Sequence, residues 1–167
     1  MPNFDGMKPI ASNAENPFPV FVAHVPCLAD ILSLPIPSKY FTVLLCADFR
    51  AESTEQLSAV TEFLIERGNV WFCSWGEDCE RAHDICDWQY VEMEMEDRTK
   101  VMVMTTWHSD ESLEEALRFA LFVATAEDPC WDDCSTVVVS VGNATWRAEI
   151  DAALSDIAGL EERCIAE

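Results

Sequence analysis

The stretch Tyr40-Phe-Thr-Val-Leu-Leu-Cys46, followed by Ala47-Asp48, decides the fold class. It is a near-continuous apolar run of strand length, the pattern of a strand buried on both faces. It stops at a polar cluster, and Ser53 or Thr54 then opens a helix. Leu57, Val60, Phe63 and Leu64 share one face of that helix. The same grammar recurs downstream. Val70–Cys73 runs into Ser74–Asp78, Val101–Met104 into Thr105–Asp110, and Thr136–Val141 into Gly142–Asn143. Strands that alternate with helices in this way predict an α/β fold, Rossmann-like or flavodoxin-like in broad form. The expectation is a three-layer sandwich around a mostly parallel sheet of four to five strands.

Between these runs the spacing predicts a short helix over about Asp78–Cys86, a brief strand over Gln89–Met93 and a charged loop over Glu92–Lys100. A helix capped by Ser109 or Asp110 runs to about Thr125, and a last helix runs from Ala144 to Ile157. Glu92-Met-Glu-Met-Glu-Asp97, if extended, shows carboxylates on one face and methionines on the other. Residues 1–39 differ in composition, holding seven of the eight prolines. They read as a proline-rich arm wrapping the sheet, with a mobile first dozen residues, a short edge strand at Phe18–Val25 and a helical turn after Pro26. Residues 40–158 read as the α/β domain and 159–167 as a tail.

The charge is the outlier: 31 acids against 10 bases give −21 in 167 residues. Such a chain repels nucleic acid and anionic lipid and attracts basic proteins. Half its residues are hydrophobic, enough for a core. With no charged n-region and apolar h-region at its start, no signal peptide is expected, and no apolar run is long enough for a bilayer. Its eight scattered cysteines suit reduced, buried thiols. A cytoplasmic location follows as an expectation.

In open α/β sheets ligands bind at the carboxyl ends of the strands. The residues placed there are Asp48, Ser74, Trp75, Asp78, Thr106, Trp107, His108, Asp110 and Asn143. Asp48, His108 and Asp110 supply acid/base chemistry if they converge. Asp78, Asp110 and Asn143 are also ordinary helix caps. Trp75 and Trp107 occupy equivalent strand-end places, suited to holding a planar ligand or to roofing the core. GxGxxG, GxxxxGK[ST] and GxSxG are all absent, so no cofactor is expected. Cys79, His83 and Cys86 fall at i, i+4 and i+7 on one helical face, a zinc-like donor set. With no CxxC, packing cysteines under a short helix are favoured over a metal site.

Two segments carry a resemblance. Val70-Trp-Phe-Cys-Ser-Trp-Gly-Glu-Asp-Cys-Glu-Arg-Ala-His-Asp-Ile-Cys-Asp87 and Val103-Met-Thr-Thr-Trp-His-Ser-Asp-Glu-Ser-Leu-Glu-Glu-Ala-Leu117 resemble a group of small acidic bacterial proteins classed as a domain of unknown function. The resemblance spans roughly residues 40–150. It implies a bacterial cytoplasmic α/β domain and supplies no activity.

Together these readings lean away from catalysis. They point to an interaction or regulatory protein, inhibitor-like or immunity-like, whose acidic surface binds a basic protein partner. The alternative is a small enzyme or ligand-binding domain using the strand ends, with a divalent metal bridging the acids. Oligomeric state is left open.

Overall fold

A computed structural model describes residues 7–10 and 18–165. The apolar runs form a six-stranded mixed sheet in the order β1-β2-β6-β3-β4-β5. The strands are β1 (Lys8–Ile10), β2 (Val20–Val25), β3 (Tyr40–Cys46), β4 (Asn69–Trp75), β5 (Met104–His108) and β6 (Cys134–Val141). Only β1 runs antiparallel to its neighbour. The four to five strands expected become six because residues 8–10 and 20–25 join the sheet. β2 is not an edge strand: it lies between β1 and β6. The mobility expected of the first dozen residues falls mostly outside the described ones.

Alternate side chains of each strand point to opposite faces, and each face has its own helices. One face packs Val43, Leu45, Phe72, Val137 and Val139 beneath the 3₁₀ turn Leu28–Ser33, helix α1 (Thr54–Glu66) and helix α2 (Cys79–Met95). The other packs Leu44, Cys46, Cys73 and Val138 beneath α3 (Leu113–Phe122), α4 (Ala144–Leu154) and α5 (Ile157–Ile165). The result is helix, sheet, helix, with β3, β4 and β6 buried on both sides.

Three stretches differ from the sequence expectation. The last helix, expected over Ala144–Ile157, ends at Leu154, and α5 follows from Ile157 to Ile165. α2 runs on to Met95, so Gln89–Met93 is helix rather than strand. Its buried row Cys79, Ala82, Cys86 and Met93 follows i, i+3, i+7 and i+14. In a strand Met93 and Met95 would share a face. In a helix they lie about 200° apart, and Met93 is buried while Met95 is 84% exposed. The helix ends where Asp97 takes a left-handed φ of 56° and Arg98 N–H closes back on the Met93 carbonyl at 2.8 Å. Arg98 then pairs with Glu62 and Glu66, tying the end of α2 to α1.

The third difference lies around β5. The strand starts at Met104 rather than Val101, and α3 begins at Leu113 under Ser112. Ser112 and Glu115 form a reciprocal capping box: Glu115 N–H donates to Ser112 Oγ at 3.2 Å and Ser112 N–H to Glu115 Oε2 at 2.6 Å. Neither Ser109 nor Asp110 caps this helix.

Candidate functional site

The carboxyl ends of the parallel strands lie side by side along one end of the sheet. Cys46 lies beside Trp75 and Ser140, and Trp75 lies beside His108. What gathers there is a network of groups that engage one another. Ala47 N–H donates to the Trp75 carbonyl at 3.1 Å and Phe49 N–H to the Glu77 carbonyl at 2.9 Å, zipping the loop after β3 to the loop after β4. Asp48 grips Arg50 through two parallel bonds, Nε to Oδ1 at 2.9 Å and Nη2 to Oδ2 at 2.8 Å. The Arg50 guanidinium holds the Asp48 carboxyl below its usual range. Asp78, left-handed at φ 62°, takes Arg81 Nε at 2.7 Å. Arg81 also donates to the carbonyls of Phe49 and Glu52.

His108 is 3% exposed and bonded at both ring nitrogens. Nδ1 meets Glu111 Oε2 at 2.8 Å and Nε2 meets Thr106 Oγ1 at 3.1 Å, while the ring packs on Phe119. Ser74 Oγ, fully buried, donates to the Cys79 carbonyl at 2.8 Å. Asn143 caps α4 by accepting Trp146 N–H at 3.0 Å. Asp110 is exposed in the turn after β5. Asp48 lies in the loop after β3 and His108 at the end of β5, on opposite sides of β4.

The two strand-end tryptophans do not share a pocket. Trp75 pairs in register with His108 and Trp107 with Ser74, so the indoles leave opposite faces. Trp75 roofs the core, edge-on to Trp146, with Nε1 donating to the Glu111 carbonyl at 2.9 Å. Trp107 lies against His83 of α2 and is 43% exposed.

The zinc-like trio also parts company. Cys79 and Cys86 point into the core beneath α2, while His83 turns to Trp107, Asp84 and Asp87. Among the described residues no three His, Cys, Asp or Glu side chains gather to hold a metal ion. Burial pushes the Cys86 and Cys46 thiols far up and the Cys73 thiol up to about 12.

Sequence reasoning missed a trio at the β2–β6 junction. His24 Nδ1 meets Ser140 Oγ at 2.6 Å and Nε2 meets Asp151 Oδ1 at 2.8 Å. The residues are those of a nucleophile, a base and an orienting acid. Acyl transfer, however, needs an Oγ that a substrate carbonyl can reach, and Ser140 is 1% exposed. The trio acts as a strap joining β2, β6 and α4. No spacing signal precedes it, because its members come from three distant segments.

A further group was not gathered by the sequence reading. Trp88, Val91 and Met95 lie at i, i+3 and i+7 along the outer side of α2 and are exposed, Trp88 at 75%. Trp107 stands on the neighbouring strand, and Glu80, Asp84, Asp87, Glu92 and Glu94 belong to the same helix. A helix with a second apolar row facing water would have revealed the group, had α2 been read at full length.

Among the described residues no helix is long and apolar enough to cross a membrane. A family model described as "Domain of unknown function (DUF7684)" matches residues 23–157. No curated protein matches the chain.

Proposed function

The chain belongs to this family of domains of unknown function, and on that premise we propose that it is a non-enzymatic interaction protein that captures a basic protein partner. The carrying observation is the outer side of α2. Trp88, Val91 and Met95 are left in water within a helix rich in carboxylates, and half-exposed Trp107 lies against His83 of the same helix. Exposed aromatic and methionine side chains that form one row are what binding hot spots are made of. The acids around them, in a chain of charge −21, select for a cationic partner and speed its arrival. We read the architecture as Rossmann-like, used here as a rigid support, and the setting as cytoplasmic. A catalytic use of the strand ends is the weaker reading, because Asp48, Asp78 and His108 each already hold a partner.

The test replaces apolar contact without changing charge. A basic protein retained by the wild-type chain at low salt and released at high salt is challenged with the Trp88→Ser/Trp107→Ser variant. Retention should fall at least tenfold while the melting temperature stays near that of the wild type. Retention unchanged by the double substitution overturns the assignment of this face.

A further inference from the structure

β5 is the last strand of the sheet: among the described residues it pairs with β4 on one side and with no strand on the other. The outward N–H and C=O groups of an edge strand are a template for another chain. Sheet edges are commonly blunted by lysine, proline or a bulge. The opposite edge, β1, is three residues long and contains Lys8 and Pro9. β5 reads Met-Thr-Thr-Trp-His and has none of these.

α2 overhangs that open edge. The His83 ring lies 4.5 Å from Trp107, and Thr105 Oγ1 donates to Asp87 Oδ1 at 2.5 Å. These two contacts fix the helix antiparallel to the strand. Glu80, Asp84, Asp87 and Glu94 fall at i, i+4, i+7 and i+14, so the row containing Asp87 runs along the flank above β5. At 1.5 Å per residue the row is about 21 Å long, with its first gaps about 6 and 4.5 Å. Alternate side chains of an extended strand stand about 6.6 Å apart on one face. Val91 fills the i+11 place, about 6 Å past Asp87 and 4.5 Å before Glu94. A strand laid against β5 therefore offers alternate side chains to Glu80, Asp84 and Asp87.

We propose that β5 accepts an extended basic segment of the partner protein as a seventh strand, with its alternate Lys or Arg side chains facing the acidic row of α2. Main-chain bonding gives the added strand its hold, and the charges give its choice. This rests on the reading that the partner is basic. A second copy of the chain fits poorly: a two-fold β5–β5 pairing puts both α2 helices on one face, and the two acidic rows meet.

The test uses a ten-residue peptide of alternating Lys and Val, and the same peptide with every backbone nitrogen methylated, each titrated against the full chain at low and high salt. Backbone hydrogen exchange of residues 104–108 is followed in parallel. Expected are salt-sensitive binding of the first peptide, slowed exchange along β5, and at least tenfold weaker binding of the methylated one. Equal, salt-sensitive binding of both peptides with β5 exchange unchanged overturns the strand-addition proposal and leaves the acidic-surface function standing. No binding of either at low salt removes both. A dimer of the free chain with β5 already protected overturns the proposal in favour of a second copy.

Discussion

Gly76→Ala tests the zipper between the strand-end loops. Gly76 sits at φ 119°, outside the ordinary range of L side chains, and a Cβ there would lie 2.0 Å from the Ala47 carbonyl oxygen. The backbone conformation alone costs about 1–3 kcal/mol for a non-glycine residue. The clash falls on backbone, which cannot swing aside as a long side chain does. Relief means moving the Ala47 peptide and loosening its neighbours, the Ala47–Trp75 and Phe49–Glu77 bonds, each worth about 1 kcal/mol net. The expected loss is about 3–5 kcal/mol, a large part of the roughly 5–15 kcal/mol that holds a domain together. For a chain of this size that is a fall of about 6–20 °C in melting temperature. Gly142→Ala is the internal control, because its φ of 58° is ordinary left-handed backbone and its nearest contact, the Pro26 oxygen, is 3.0 Å away. Thermal melts followed by circular dichroism, with urea titration for the free energies, decide the matter. A Gly76→Ala chain that melts within 2 °C of the wild type, or above the Gly142→Ala chain, refutes the reasoning.

Three further outcomes follow from the α3 capping box and the thiols. Ser112→Ala removes half of the α3 capping box and should cost about 1 kcal/mol, seen as a lower urea midpoint at unchanged slope. In the wild type, the backbone bond from Ser112 holds the Glu115 carboxyl below its ordinary range. Its contribution is therefore complete above the unfolded-state pKa and is lost as pH falls through the lower folded value; an NMR midpoint for Glu115 at or above the ordinary glutamate value would contradict this. In a maleimide pulse on native protein, exposed Cys27 should be modified, though slowly, because its hydrogen bond to Asp30 raises its thiol pKa. Cys46, Cys73 and Cys86 should react only after unfolding, as read by mass spectrometry of the labelled peptides, and native labelling of any of these three would show that the core opens.

The layered architecture was legible because β3 and β6 are so strongly apolar and β-branched that no other element fits them. The full length of α2 was legible too, in the row Cys79, Ala82, Cys86 and Met93. The alternating Glu and Met residues at its end drew attention to a period of two instead. β1 was hidden because three residues containing a proline carry almost no strand signal, and its place is set by pairing with β2. The fold rule put these polar residues near the strand ends, but the sequence could not say which polar groups would satisfy one another. The Asp48–Arg50 and Asp78–Arg81 pairs are local and in principle readable. The His24–Ser140–Asp151 strap depends on strand order, which a single chain does not reveal.

The two rims of the sheet are unlike, and the difference sets how many neighbours the molecule can recruit by strand addition. Growth at both rims would make the chain a bifunctional monomer, able to polymerise into a continuous cross-linked ribbon. With the β1 rim short and carrying Lys8 and Pro9, and the β5 rim open among the described residues, the proposed strand addition would have a valence of one. A strand taken up at β5 would close the one open rim among the described residues. On that proposal assembly would stop at a one-to-one complex, with the protein as a chain terminator rather than a link.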